Sequence, residues 1–459
     1  MTVTTQTVIP DQPGVPLGKA VRVWCRITAL SFGGPAGQIA VMHRILVEEK
    51  RWVGENRFLH ALNYCMLLPG PEAMQLATYV GWLLHGVRGG LIAGCLFVLP
   101  GFVSILALSM LYASFQDLAW VQALFFGVKA AVLAVVIEAL VRIGKRALKT
   151  APMVLIAAAA FVAIFVFHLP FPLIVGSAAL IGVVGGLLDP NRFLVIKARE
   201  VSGDDVVVGR HHTGSSRPPW RPALSTAATW LGIWLAPVLG IVLLVGPDHV
   251  FSQLAIFFSK LAVVTFGGAY AVLAYMAQEA VQTHGWLEPG EMLDGLGMAE
   301  TTPGPLIQVV QFVGYLGGYR EAGSLGPVAS GIVASIIVTW VTFAPCFLWI
   351  FLGAPFIERL RNVALLTAAL SAVTAAVVGV ILNLSVWFAL HVAFEDLREV
   401  RGAGGQLLVP NLASVDPAAV VIAACALVAM LRYKLGMITV LAVSAAAGMA
   451  YSLTGPIGS

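Results

Sequence analysis

The chain carries one composite stretch twice: a Phe-Gly-Gly turn, then a tryptophan, then Pro-Gly-Pro set in apolar sequence. The first copy runs from Arg26 through Phe32, Gly33, Gly34 and Trp52 to Pro69, Gly70 and Pro71. The second runs from Lys260 through Phe266, Gly267, Gly268 and Trp286 to Pro303, Gly304 and Pro305, each member 234 positions after its counterpart. Past Pro-Gly-Pro the match continues one residue out of step, Tyr79-Val80-Gly81-Trp82 answering Phe312-Val313-Gly314-Tyr315. Whole halves are repeated.

Clustered glycine and proline disfavour continuing a helix, so each copy is cut at two places. The surroundings are membrane-like: 59% of the 459 residues are hydrophobic and 11% charged, against about 25% charged in a soluble domain. Apolar runs near 90–114, 120–141, 151–168, 171–188, 224–245, 327–352, 363–390, 417–431 and 436–453 predict nine crossings, judged against the roughly 20 residues that a hydrocarbon core requires. The pieces either side of Pro69-Gly70-Pro71 are too short to span alone. Backbone opened at membrane depth is tolerated only where protein or a water-filled cavity surrounds it, so the breaks mark the molecule's interior. Sequence leaves open whether the broken stretches are re-entrant or fully spanning.

Charge orients the halves. The loop near 43–57 holds Arg44, Lys50, Arg51 and Arg57, whereas 278–294 holds Glu279, Glu288, Glu291 and Asp294 with no Lys or Arg. Basic loops stay cytoplasmic, so the two equivalent loops belong on opposite sides. The basic segment Arg142 to Lys149 and the linker 189–222 belong inside, the hairpin tip at His168 outside, and the equivalent tip at Arg432-Tyr433-Lys434 inside. The expected fold is an all-α polytopic membrane protein whose two homologous halves form an inverted-topology repeat with broken or re-entrant helices. Its expected parts are a disordered tail 1–17 without signal-peptide character, a repeat 18–188, a cytoplasmic linker 189–222, a connecting transmembrane helix 223–250 and a second repeat 251–459. The loop 391–416 has mixed charge.

A helix restarted inside a membrane presents unpaired N–H groups with the positive dipole end behind them, and such ends bind anions. Four such ends follow Gly34, Pro71, Gly268 and Pro305. Arg26 and Lys260 stand six residues before each Phe-Gly-Gly, and Lys129 lies within an apolar run; cations at membrane depth are functional candidates. Gln38, Glu72, Gln75, Glu300, Gln308 and Gln311 flank the breaks. Glutamine can donate to an oxyanion, while Glu72 and Glu300 suit cation pairing or proton carriage. The bland readings are that Arg26 snorkels with Lys19 and Arg22, that Lys129 pairs with Glu138 or Glu300, and that Trp52 and Trp286 anchor at the interface. The five scattered cysteines read as buried free thiols, with no disulfide framework and no metal site. His211-His212 and Asp204-Asp205 lie in a solvated tether.

The set Phe32-Gly33-Gly34-Pro35 with Leu68-Pro69-Gly70-Pro71, and Phe266-Gly267-Gly268 with Thr302-Pro303-Gly304-Pro305, resembles the chromate ion transporter family of bacterial and archaeal inner membranes, in its long two-domain form. The resemblance covers essentially the whole chain. One departure is Ala269 where the first copy has Pro35. The resemblance implies a multi-pass inner-membrane protein exporting chromate, a tetrahedral dianion like sulfate, and so giving chromate resistance. The candidate binding set, read from the breaks, their glutamines and the cations, is Arg26, Phe32, Gly33, Gly34, Gln38, Pro69, Gly70, Pro71, Gln75, Lys129, Lys260, Phe266, Gly267, Gly268, Pro303, Gly304, Pro305 and Gln308. The expected partners are chromate, with sulfate as the alternative, and the lipid bilayer; a homodimer stands open, and no nucleic acid, cofactor or metal is expected. A membrane-embedded reductase is disfavoured by the lack of a Cys-pair, haem or nucleotide motif. A passive channel fits broken inverted halves less well than alternating access does.

Single cysteines at Gly54 and at Pro289, in a background without the native five, are expected to react with an impermeant thiol reagent from opposite sides of the membrane. Reaction of both from one side contradicts the inverted repeat.

Overall fold

A computed structural model describes residues 15–32, 34–194, 220–266, 269–354, 364–402 and 405–453. The first half contains α1 (Leu17–Ala29), α2 (Gly34–His43) running into a π-helical turn (Arg44–Glu49), α3 (Glu55–Cys65), α4 (Glu72–Phe115), α5 (Ala119–Ala147), α6 (Ala151–Phe165) and α7 (Phe171–Leu188). A short α8 (Pro190–Phe193) and α9 (Trp220–Val245) lead into the second half. There α10 (Val250–Val264), α11 (Ala269–Gln278) with a π-helical turn (Glu279–Thr283), and α12 (Pro289–Thr301) are followed by α13 (Val309–Arg320). Then come α14 (Pro327–Gly353), α15 (Ala364–Ala393), α16 (Pro417–Leu431) and α17 (Met437–Ser452).

The repeat is structural as well as sequential. The π-helical turns occupy matching places. Left-handed backbone recurs at Gly70 and Gly304, at Arg51 and Gly285, and at the hairpin tips His168 and Lys434. The long α4 is two helices joined at His85 (φ −141°) and Gly86 (φ 61°), and its parts correspond to α13 and α14. The halves are also swapped into each other: α16 and α17 pack on α5 of the first half, while α6 and α7 pack on α15 of the second. Small residues permit this closeness. Gly127 meets the backbone at Ser444, Gly448 that at Ala123, Gly182 that at Ala368, and Gly379 that at Ala157, the small-residue contact that membrane helices use.

Among the described residues six helices are long and apolar enough to cross a membrane: Glu72–Phe115, Ala119–Ala147, Phe171–Leu188, Ala223–Val245, Pro327–Gly353 and Ala364–Ala393. The other three expected crossings form helices of 15, 15 and 16 residues, roughly 22–24 Å long. The Pro-Gly-Pro stretches are the tips of helical hairpins. The rings of Tyr64 and Tyr79, on opposite arms, lie 6.0 Å apart, and the Phe312 ring lies against Gly295 across the other tip. Arms of 11 residues in α3 and 13 in α12 rise only about 17–20 Å.

Some expectations need correcting. Trp52 and Trp286 are buried, not interfacial: Trp286 stacks on His284 at 4.1 Å and packs on Phe258. Of the cysteines, Cys65 and Cys346 are buried, whereas Cys25, Cys95 and Cys425 are exposed on the bundle's surface; all five are free thiols. Within 391–416, where a loop was expected, Leu397–Gly402 and Gly405–Pro410 pair as an antiparallel hairpin. The histidine and aspartate pairs of the linker lie outside the described residues.

Candidate functional site

Each Pro-Gly-Pro tip is tied to the other half. The Gly70 N–H donates to the Thr265 carbonyl at 2.8 Å, and the Gly304 N–H donates to the Ser31 carbonyl at 3.1 Å. Ser31 and Thr265 occupy the same repeat position, immediately before Phe-Gly-Gly, so the two bonds are one contact made twice by exchange. The side chains match as well: the Ser31 hydroxyl donates to the Ile27 carbonyl and the Thr265 hydroxyl to that of Leu261. This back-bonding satisfies a carbonyl in the last turn of α1 and of α10. Their own carbonyls are thereby free to receive the opposite tip.

The long helices complete the crossing. Pro100 and Pro345 sit inside α4 and α14, and the residue after each meets the opposite tip. A Cβ on Gly101 would lie 2.8 Å from the Pro303 carbonyl, and one on Gly70 would lie 3.1 Å from the Cys346 sulfur. Four buried glutamines surround this region: Gln38, Gln75, Gln308 and Gln311. Gln38 Nε2 donates to the Gly304 carbonyl, Gln75 Nε2 to the Pro69 carbonyl at 2.6 Å, Gln308 Nε2 to Gln311 Oε1 at 2.6 Å, and Gln311 Nε2 to the Phe102 carbonyl at 3.0 Å. Each amide nitrogen thus gives one N–H to a protein acceptor, out of the two that it carries. Backbone N–H groups at the helix starts are further donors for an anion. Gln75 N bonds Pro71 O and Gln308 N bonds Pro305 O, and the preceding N–H groups of Ala73, Met74, Leu306 and Ile307 have no acceptor within their own helix. The amide oxygens of Gln38, Gln75 and Gln308 are buried without a hydrogen-bond partner.

Of the residues expected at the site, the crossing gathers Gln38, Pro69, Gly70, Pro71, Gln75, Pro303, Gly304, Pro305 and Gln308, with Gly34 opening α2 and Phe32 and Phe266 just past the tethering carbonyls. Gly33, Gly267 and Gly268 lie outside the described residues. Arg26 is elsewhere, on an exposed face, donating to Glu49 at 2.7 Å, and Lys260 is exposed. Lys129 pairs with neither Glu138 nor Glu300 but with Asp294 at 3.3 Å; Glu138 instead holds Arg142 at 3.5 Å. Glu300 is buried near the second tip and accepts the Tyr270 hydroxyl.

Sequence reasoning missed Ser31, Thr265, Tyr112 and Asp294. The first two carried a signal, a hydroxyl at one repeat position beside a break. Tyr112 carried none. Asp294 was read as loop, although the Glu288 and Glu291 capping box marks a helix start that places it one turn inside α12.

A family model described as "Chromate transporter" matches residues 18–183 and 252–449, once in each half. A chromate transport protein of Pseudomonas aeruginosa is 33% identical over 355 residues, covering 77% of this chain and 76% of that one. One from Cupriavidus metallidurans is 28% identical over 375 residues, 80% of this chain and 82% of the relative. An uncharacterized transporter of Methanocaldococcus jannaschii is 25% identical over 370 residues, 80% and 83% respectively. No solved structure matches.

The two tips differ in tolerance. Both glycines have left-handed backbone, φ 119° at Gly70 and 105° at Gly304, strained by about 1–2 kcal/mol for other residues. A Cβ at Gly304 would also sit 3.1–3.2 Å from the Gly101 backbone, whereas at Gly70 it meets only the Gln75 and Cys346 side chains. Gly304→Ala is therefore expected to lower the amount of folded protein or its transport more than Gly70→Ala does. Anion uptake normalised to protein level checks this; equal effects contradict it.

Proposed function

The chain belongs to the chromate transporter family, and from that membership we propose that it exports chromate from the cytoplasm across the cell's inner membrane, so conferring chromate resistance. Members of the family are transport proteins, not enzymes. The observation that carries the reading furthest is the reciprocal tether of the two Pro-Gly-Pro tips. It holds two helix N-termini from inverted halves at one crossing, where their dipoles favour negative charge. Such N–H groups read charge and tetrahedral shape rather than the central atom. Sulfate or another oxyanion is accordingly the second reading.

The crossing suits transport rather than trapping. A dianion held mainly by backbone dipoles is bound without a neutralising ion pair, and conduction needs binding weak enough to allow release. Lys260, exposed on α10, supplies positive field outside the crossing, while the charge of Arg26 on the matched α1 is balanced by Glu49.

Energy coupling follows from charge. Moving one charge through 100 mV is worth about 2.3 kcal/mol, so a dianion leaving a cell that is negative inside gains roughly 4.6 kcal/mol. At about 1.4 kcal/mol per tenfold this supports a gradient on the order of a thousandfold. Membrane potential alone is sufficient.

In everted vesicles, whose lumen becomes positive during respiration, chromate is expected to accumulate. Clamping the potential with potassium and its ionophore abolishes accumulation, and collapsing only the pH gradient leaves it. Uptake that follows the pH gradient and ignores the potential overturns this coupling. Competition by sulfate at equal concentration separates the two substrate readings.

A further inference from the structure

The two halves are equivalent in sequence but not in packing. In the second half α12 packs on α5 and α11 on α15. Among the described residues their repeat counterparts, α3 against α15 and α2 against α5, show no comparable packing. Burial follows the same division. Every residue from Glu291 to Glu300 of α12 is buried, whereas α3 buries only Phe58, Ala61, Tyr64 and Cys65. Met66 and Glu300 occupy one repeat position, yet Met66 is 40% exposed and Glu300 1%. The repeat is inverted, so these two packings lie on opposite sides of the crossing, and the side at α11 and α12 is the one shut.

A specific contact closes that side. Asp294, 2% exposed, takes two donors on one oxygen: the Lys129 ammonium of α5 at 3.3 Å and the Tyr112 hydroxyl of α4 at 2.8 Å. Gly290 lets the ammonium lie against the first turn of α12, where a Cβ would come within 2.9 Å of Nζ. At the base of the same hairpin Arg320 bonds Glu291 at 2.6 Å and the Trp286 carbonyl at 2.8 Å, making the hairpin a braced unit. Lys129 and Asp294 join α5 of one half to α12 of the other. The repeat-equivalent positions hold Thr374 and His60.

We infer that this structure is the inward-open state, and that Lys129, Asp294 and Tyr112 form the outer gate that must part before the anion leaves. Lys129 is then a positioning residue for transport rather than a ligand of the anion at the crossing. Asp294 is buried while the Lys129 side chain is a third exposed, so their attraction is partly screened by water, and breaking one pair and one hydrogen bond is a reversible step for a rocking hairpin. The inference rests on the transport reading, but its test needs no substrate, so the two fail separately.

The full chain without its native cysteines, in sealed vesicles of both orientations, is probed with an impermeant thiol reagent. Met66→Cys is expected to react from the cytoplasmic side. Met298→Cys, one turn beyond Asp294 on the same face of α12, is expected to resist reaction from outside, and to react about tenfold faster once Asp294→Asn or Lys129→Met is added. Tyr112→Phe, which removes one hydrogen bond and little volume, gives a smaller rise and guards against misfolding of the charge variants. The inference is overturned if Met298→Cys reacts equally with all gates, or if Met66→Cys is reached from outside or buried against a second copy. It is also overturned if Lys129→Met raises the KM for chromate while labelling stays unchanged, which would make the lysine an anion ligand.

Discussion

A peptide group opened inside a membrane must find a partner in protein, and this chain opens its backbone at four places. The first halves of the breaks leave carbonyls at the ends of α1 and α10; the second halves leave N–H groups at the Pro-Gly-Pro tips. The solution is exchange: each tip donates to the carbonyl that the other half leaves free. Neither half can complete its own interior. The swapped packing of α16 and α17 on α5, and of α6 and α7 on α15, is the same dependence at the scale of helices.

Exchange also explains why the interior is polar but carries few charges. With tip glycines and glutamine nitrogens bonded to carbonyls, what remains directed inward is a set of helix-end N–H groups and unpaired amide oxygens. The ion pairs lie away from it, at Arg26 with Glu49 and at Lys129 with Asp294, while the carboxyl side chains of Glu72 and Glu300 flank the two tips. Buried ion pairs are stable only when well matched, and here Lys129 with Asp294 joins α5 to α12. The asymmetry between α12 and α3 shows that two sequence-equivalent hairpins occupy different packings in one molecule, as alternating access requires.

Much of the fold was legible in the sequence. A repeat offset says which residues are equivalent, and from it the broken helices, their inversion and the place of the glycines followed. It does not say which residues touch. Gly70 and Gly304 were visible as a pair, but their partners Thr265 and Ser31 come from the opposite half, and nothing local specifies that. Lys129 had several acids within plausible reach, and only the packing of α12 on α5 selects Asp294. The three helices of 15–16 residues coincide or nearly coincide with the apolar runs 151–168, 417–431 and 436–453 from which crossings were expected. The hairpin at Leu397–Gly402 and Gly405–Pro410 was missed because the first strand carries mixed charge, the second carries none, and neither alternates cleanly.

The central claim is that the oxyanion sits where the two Pro-Gly-Pro tips cross. Diffraction from crystals grown with chromate, recorded at the chromium absorption edge, locates that atom without reference to the protein map. The account predicts one anomalous peak between the N-terminal turns that follow Pro71 and Pro305. A peak beside Lys129 or Arg26, with none at the crossing, would contradict it.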